Sequence, residues 1–431
     1  MKILVLGAGG REHAIVWALK QTSHSKLDLY CAPGNAGIAE LAQCIPVPTQ
    51  DQTALVQFAQ SEKMDLTFVG PEAPLAEGIV DRFQSRGLRI AGPSMAAAKL
   101  ESSKVLAKDF MTRHRIPTAA YQVAGNYAET IEILRRGEVG GSNRAVVLKA
   151  DGLAAGKGVV VARTRDEAER AASELTSGRL VGADAAKQII VEEGLEGSEV
   201  SVLIFTDGRD YQVMPAARDH KRIGENDTGP NTGGMGAVTD NSLLDQNIME
   251  QIKRLIIEPT LEGARVEGFP FRGVLFVGLM LTKDGPRVLE YNVRFGDPET
   301  QAILVRLESD LAAIFNAIAD ETLGSVPVVW SQESSACVVL ATRGYPGKYE
   351  AGAPISGLSN ISSRVRVFHA GTARTESGQL VTAGGRVLGV TATGPTLENA
   401  LTDCYNAVSH INWDGMQFRR DIGRHGSGVA A

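Results

Sequence analysis

The sequence predicts a multidomain chain, α/β at its N-terminus and α+β beyond, and three observations carry that expectation. Short β-type runs alternate with helical stretches over the first hundred residues, the pattern of βαβ units around a parallel sheet. Later strand candidates face each other across Asp207-Gly208 and Asp284-Gly285, dipeptides that favour tight hairpins. The length of 431 residues exceeds what one ordinary hydrophobic core fills, so about two to four domains are expected.

In chain order, the first unit reads as a strand over 2–6, a helix over 12–21, a strand over 27–31, a helix over 53–61 and a strand over 66–69. Its strands end at Gly7-Ala8-Gly9-Gly10, Pro33-Gly34-Asn35 and Gly70-Pro71-Glu72. Ligands gather at the carboxyl ends of parallel strands, so these loops are expected to share a crevice. A helix over 103–114 closes the unit, and Pro117 marks the passage onward. Strands over 145–149 and 159–162, joined by the Gly-rich stretch 151–158, read as a flexible hairpin before an Ala-rich helix over 166–175. A third region pairs 199–205 with 211–214, and 274–281 with 287–293, around a Gly-rich loop at 229–236. One helix is expected over 304–318, and a Ser/Val/Pro-rich connector at 325–333 opens a β-rich end. The expected boundaries are 1–120, 121–192, 193–326 and 327–431.

A formal net charge of −6 excludes sequence-independent nucleic-acid binding, which needs excess Lys and Arg to neutralise phosphates. Small-molecule partners are expected instead. Cys31, Cys44, Cys337 and Cys404 are scattered without a C-x-x-C pair, so buried reduced thiols are expected rather than a zinc site or disulfides. Met1 leads straight into the strand-like Ile3-Leu4-Val5-Leu6 with no signal-peptide pattern. No apolar run approaches the roughly 18 residues that span a bilayer. A cytoplasmic protein without membrane contact is the expectation.

The loop Gly7–His13 lies between strand and helix, where backbone N–H groups and the helix dipole favour an anion, and a phosphate is expected there. The third glycine of a dinucleotide fingerprint would fall at Glu12, which argues against a Rossmann dehydrogenase. Gly152–Gly158 is not a Walker A loop: only three residues separate Gly152 from Gly156-Lys157, and Gly158 stands where Ser or Thr would bind magnesium. It reads as a mobile loop whose Lys157, with Lys149 on the preceding strand, neutralises polyphosphate; the plainer alternative is a solvated turn. Asp219-His220-Lys221-Arg222 and the glycines at 229–236 form a second anion or substrate candidate, against the commoner fate of a charged run as a solvated face. No Ser or Cys nucleophile motif accompanies His220, which is read as structural. Glu192 and Glu193 end a strand whose exposed backbone suits an adenine edge.

The strongest physical pattern is Val288-Leu289-Glu290-Tyr291-Asn292-Val293-Arg294. Alternation on a strand turns Glu290, Asn292 and Arg294 one way and Leu289, Tyr291 and Val293 toward the core. Glu and Asn oxygens two residues apart suit a hard cation completed by phosphate and water. Arg294 adds a planar fork for carboxylate or phosphate. A solvent-facing strand is the bland alternative, opposed by the shaped loop Arg294-Phe295-Gly296-Asp297-Pro298-Glu299 that follows.

Together these residues resemble the ATP-grasp superfamily, and within it the phosphoribosylamine-glycine ligase (glycinamide ribonucleotide synthetase) family. Arg294–Gln301 is similar to that family's R-F-G-D-P-E-x-Q signature at every fixed position. Gly9–His13, Ala32–Gly37, Val69–Leu75, Lys149–Gly158, Asp219–Arg222, Asp227–Gly236 and Phe368–Thr372 agree as well, so the likeness spans essentially the whole chain. It implies an N-terminal parallel α/β (pre-ATP-grasp) domain, a two-part ATP-grasp domain and a C-terminal β-rich domain, in a monofunctional form. It implies ligation of glycine to 5-phosphoribosylamine in purine biosynthesis, with ATP and Mg²⁺ or Mn²⁺, through glycyl phosphate, in a monomer or weak homodimer. Carried over by position, Lys104, Lys149 and Lys157, with Gly156 and Gly158, serve the ATP phosphates. Glu192, Glu193, Leu195 and Glu199 serve the adenosine, and Glu290 and Asn292 the metal. Arg294 and Asp219 orient glycine or the ribosylamine. Gly10, Asn35, Pro71 and Glu72 embrace the ribose phosphate. One departure stands out: the strand over 274–281 lacks the additional acidic metal ligand of many ATP-grasp relatives, so fewer protein ligands are expected.

Two competitors remain. A different ATP-grasp ligase or carboxylase of purine or biotin metabolism has no reason to carry Arg294–Gln301 together with Gly70-Pro71-Glu72. A nucleotide-binding regulatory protein has no reason to keep Glu290 and Asn292.

Overall fold

The structure is a computed structural model that describes residues 1–139, 145–153, 158–178, 182 and 185–424. Its N-terminal unit is a parallel five-stranded sheet in the order Gln43–Cys44, Asp28–Pro33, Lys2–Gly7, Leu66–Val69, Ile90–Ala91. Ile3, Leu4, Val5 and Leu6 of the middle strand are fully buried, as expected where both faces of a parallel sheet are covered. The three strand-end loops do converge. Gly34 N–H donates to Gly7 O at 3.0 Å, and Gly70 N–H to Leu6 O at 3.0 Å.

A small antiparallel sheet follows, ordered Tyr121–Ala124, Ile189–Glu193, Val146–Ala150, Val159–Ala162. The hairpin register Val146↔Ala162 to Lys149↔Val159 brackets the Gly-rich loop. Helices Tyr127–Arg136 and Arg165–Thr176 back this sheet through their own small core. Thr164 starts the second helix with a reciprocal capping box to Glu167. Gly156 and Lys157 lie outside the described residues.

Beyond the small sheet, strands from both sides of residue 327 join in one sheet. One ten-stranded sheet runs Gly285–Asn292, Arg272–Thr282, Ser198–Asp207, Ala217–Asp219, Gly236–Thr239, Ser334–Thr342, Arg386–Gly394, Arg366–His369 along its main path. The junction is the antiparallel register Gly236↔Val338 to Thr239↔Ser335. The single helix expected over 304–318 is two, Glu299–Leu304 and Leu311–Ala319. Between them the buried Arg306 donates to Thr239 Oγ1 at 2.8 Å and Ser331 O at 2.9 Å. Asp310 then caps the second helix by accepting from Ala312 N at 2.9 Å. Among the described residues, no helix is long and apolar enough to cross a membrane.

Candidate active site

A cavity of about 1460 Å³ lies where the N-terminal unit, the small sheet and the large sheet meet. Lys104, Lys149, Gly158, Glu192, Glu193, Leu195 and Glu199 line it, as do Asp219, Glu290, Asn292, Arg294 and Glu72. Gly10, Asn35 and Pro71 are not among its lining residues.

The Gly285–Asn292 strand departs from simple alternation. Gly278 pairs with Glu290 but Leu279 pairs with Val288, so Leu289 is an extra residue in a bulge. Val288, rather than Leu289, joins Tyr291 and Val293 in the core. Leu289 lines the cavity beside Glu290, and its carbonyl accepts from Lys149 Nζ at 2.9 Å. Bulges re-aim side chains in this way next to functional sites. Burial opposes ionisation of Glu290, but Lys221, Lys149, Lys104 and Arg294 around it hold its carboxyl below the ordinary value. Among the described residues, no group of three or more His, Cys, Asp or Glu is arranged to hold a metal.

Arg294 does not present a free fork. Its Nε donates to Glu72 Oε2 at 3.1 Å, and its Nη2 to Glu101 Oε1 at 2.8 Å and to Asn292 Oδ1 at 3.2 Å. Two acids of the N-terminal unit thus engage the guanidinium, which in turn orients Asn292. Burial would raise the Glu72 carboxyl, yet Arg294 and Arg11 bring it down to about 2. At Glu101 burial prevails over Arg294 and the carboxyl moves up.

Glu192 Oε2 receives two lysines, Lys149 and Lys108, each at 3.1 Å. Burial lowers Lys108 to about 8 despite Glu192. Glu192 Oε1 is buried without a hydrogen-bond partner, an acceptor left for a ligand donor. Lys104 Nζ donates to Gly152 O at 2.7 Å, at the root of the Gly-rich loop. Glu193 Oε1 accepts from Ala120 N at 3.0 Å, and Glu199 pairs with Lys221 at 2.8 Å. Deeper still, burial raises Asp219, opposed by Lys221 and reinforced by Glu199 and Glu290. Burial, with the nearby Asp219, pushes Glu299 up to about 8.

The expected phosphate cradle at Gly7–His13 is filled from within. Glu12 Oε2 accepts from Gly9 N at 2.6 Å, and Glu12 Oε1 from Arg11 Nε at 2.7 Å. A Cβ at Gly9 would sit 2.8 Å from Glu12 Oε2, and one at Gly7 2.5 Å from Glu12 Cγ. The residue replacing the third glycine therefore supplies the anion to the helix N-terminus itself. Replacing it by Glu12→Gln should cost about 2–4 kcal/mol, because Arg11 would keep a buried charge without its nearest carboxylate. The denaturant midpoint should fall with its slope unchanged; a shift worth less than about 0.5 kcal/mol would reject this account.

Of the other loop residues, Asn35 makes internal ties. Asn35 Nδ2 donates to Ala8 O and His369 O, both at 2.8 Å, while its Oδ1 accepts from Gly37 N and Ile38 N at 2.9 Å. With its amide so committed, Asn35 joins the first unit to the last. Gly10 abuts Gln301, whose Nε2 would be 2.6 Å from an added Cβ. Pro71 precedes the helix Glu72–Ala76.

Lys108, Glu101 and Arg386 were not singled out in the sequence, although all three line the cavity. Their charged partners Glu192, Arg294 and Asp297 lie far away in sequence, and no local pattern marks them.

Models of the phosphoribosylglycinamide synthetase family match the chain in three parts: the N domain at residues 1–101, the ATP-grasp (A) domain at 102–300 and the C domain at 335–425. The chain belongs to this family. As a phosphoribosylglycinamide synthetase family member it is an ATP-grasp ligase. The phosphoribosylamine–glycine ligase of Rhizobium meliloti (strain 1021) is 46% identical over 423 residues, covering 98% of each chain. That of Vibrio cholerae serotype O1 is 46% identical over 427 residues, again covering 98% of each. The crystal structure of phosphoribosylamine–glycine ligase from Thermotoga maritima has a TM-score of 0.83 at 33% identity, covering 98% of this chain and 100% of that one. In the family's terms, Glu290, Asn292 and Arg294 fall in the ATP-grasp domain, and the acids that hold Arg294 fall in the N domain.

Proposed function

We propose that the chain joins glycine to 5-phosphoribosylamine, converting ATP to ADP and phosphate by way of glycyl phosphate. The observation that carries this reading is the bulged strand of a family ATP-grasp domain, which presents Glu290 and Asn292 to a cavity flanked by Lys104 and Lys149. Glu290, held ionised by its cationic surroundings, and Asn292 Oδ1 are hard oxygen donors. They fit Mg²⁺ or Mn²⁺, which when bound neutralises phosphate oxygens.

Lys104 and Lys149 draw negative charge from the phosphates, joined by Lys157 on the loop between Gly156 and Gly158. Glu192, Glu193 and Leu195 receive the adenine, whose amino group meets the free Glu192 Oε1. Glu199, paired with Lys221, faces the ribose. Asp219 holds an amino group of glycine or of the ribosylamine. Arg294 positions Asn292 and stays off the substrates. Of Gly10, Asn35, Pro71 and Glu72, we place Glu72 against the ribosylamine, with the other three shaping the loops behind it. Carboxylate oxygen is a poor leaving group, so phosphorylation of glycine precedes attack by the ribosylamine nitrogen. Aligning the reactants and neutralising charge is what this site supplies. We infer action on small-molecule substrates as a monomer or weak homodimer, in the cytoplasm.

Phosphate release from ATP should require glycine, 5-phosphoribosylamine and Mg²⁺ together. Equal turnover with bicarbonate replacing glycine would instead favour a carboxylase.

A further inference from the structure

The segment 222–234 forms much of one rim of the cavity: Arg222, Asp227, Asn231, Thr232 and Gly233 all line it. Its strands Arg222–Gly224 and Thr228–Asn231 make a two-stranded ribbon that, among the described residues, pairs with no other sheet. An isolated ribbon of this size is marginal in water. Its turn holds Asn226 and Asp227 at φ of 56° and 52°, left-handed conformations that these two residue types tolerate better than most but that still favour an external anchor.

The anchoring groups come from the far end of the chain. Arg419, fully buried, donates from Nη1 to Asp227 Oδ1 at 2.7 Å and to Arg222 O at 3.1 Å. Its other edge is held by Asp421, at 2.8 Å through both Nε and Nη2. Asp421 Oδ2 also accepts from Asn226 N at 2.8 Å, and Arg420 N donates to Glu225 Oε1 at 3.2 Å. The root of the rim is held from the same domain. Arg386 Nη1 donates to Gly233 O and, at 2.7 Å, to Asp297 O, while Tyr345 Oη accepts from Gly233 N at 2.9 Å.

We propose that Arg419, with Asp421, is a positioning residue for the substrates: it fixes the 222–231 ribbon as the wall against which glycine and the ribosylamine are held. This rests on the ligase activity proposed above. The nucleotide is placed above against the small sheet and the strand Gly285–Asn292, so the acceptor-side substrates should respond most to loss of the ribbon's anchor.

The test uses the full chain carrying Arg419→Gln or Asp421→Asn, the second conserving shape should the first fail to fold. KM for glycine or the ribosylamine should rise about tenfold or more, with KM for ATP within about twofold of wild type. Arg419→Lys, which keeps the charge facing Asp227, should recover part of the loss. Limited trypsin digestion should cut after Lys221 or Arg222 faster in both charge-removing variants, a readout independent of activity. Unchanged KM values for both acceptor-side substrates, equal increases for all three substrates, or an unchanged cleavage rate would each overturn the proposal. If wild type shows no turnover dependent on glycine and ribosylamine, the ligase reading fails, and the trypsin comparison alone decides whether Arg419 holds the ribbon.

Discussion

Glu290→Gln should reduce turnover roughly 10³-fold, about 4 kcal/mol of transition-state stabilisation, while leaving the fold intact. The substitution keeps the side-chain shape and one carbonyl oxygen but removes the negative charge around which Lys221, Lys149, Lys104 and Arg294 are arranged. A neutral amide is a poorer ligand for a hard divalent ion, and the cations would then face the metal and one another without their shared counter-charge. The measurement is kcat across a Mg²⁺ titration, alongside the thermal midpoint. Activity within tenfold of wild type at saturating metal would remove Glu290 from the metal site.

A comparably large effect is expected on stability at mildly acidic pH. Burial lowers His13 to about 3, with His369 nearby adding to the effect. Burial also lowers His369 to about 4, against the pull of Glu40, and His220 to about 4, where Arg419 reinforces it and Asp227 and Asp421 oppose it. His13 Nδ1 accepts from His369 N at 2.8 Å, and its ring packs edge-on against Phe368 with centroids 5.6 Å apart. There is no room for a second proton without breaking that bond. An unfolded chain protonates these rings below the ordinary value of 6.5, whereas the folded chain resists until pH 3–4. Their stabilisation is therefore complete above pH 6.5 and is lost as pH falls toward 4, roughly 2 kcal/mol per histidine by pH 5. Glu299 acts in the opposite sense. Its raised folded value makes the folded chain the better proton binder, so between pH 7 and 5 it restores roughly 2 kcal/mol. Glu101 and Asp219, also raised by burial, act in the same sense as Glu299, so the net loss should be at most about 4 kcal/mol, still a large part of a typical domain's stability. Denaturant midpoints at pH 7 and 5 measure it. In His13→Asn, which keeps an acceptor for His369 N, the pH-dependent loss should shrink by roughly 2 kcal/mol. An identical pH dependence in wild type and variant would contradict this account.

The parts of the architecture legible in the sequence were those governed by local rules. Alternating runs identified the parallel sheet, Asp-Gly turns identified the hairpins, and the string Arg294–Gln301 marked the family before any contact was known. Each departure has a non-local cause. Strict alternation placed Leu289 in the core, but the bulge opposite Gly278 and Leu279 belongs to the neighbouring strand's register and is silent in a single strand's sequence. The apolar run over 304–318 looked continuous because Thr239 and Ser331, which hold Arg306 in the break between two helices, lie elsewhere in the chain. Arg294 looked like a free fork because Glu101 lies 193 residues away. Glu12 was recognised as the wrong residue for a dinucleotide, yet its replacement of the bound anion became evident only from the Gly9 hydrogen bond.

The junction of Gly236–Thr239 with Ser334–Thr342 separates two meanings of the word domain. The C domain defined by family resemblance begins at residue 335, immediately inside a strand whose partner belongs to the ATP-grasp portion. Excising it, or grafting it onto another protein, would leave two unpaired strand edges rather than two closed surfaces, and such edges template aggregation. For gene fusion, fragment expression or recombination, the inheritable unit at this end of the molecule is the ten-stranded sheet.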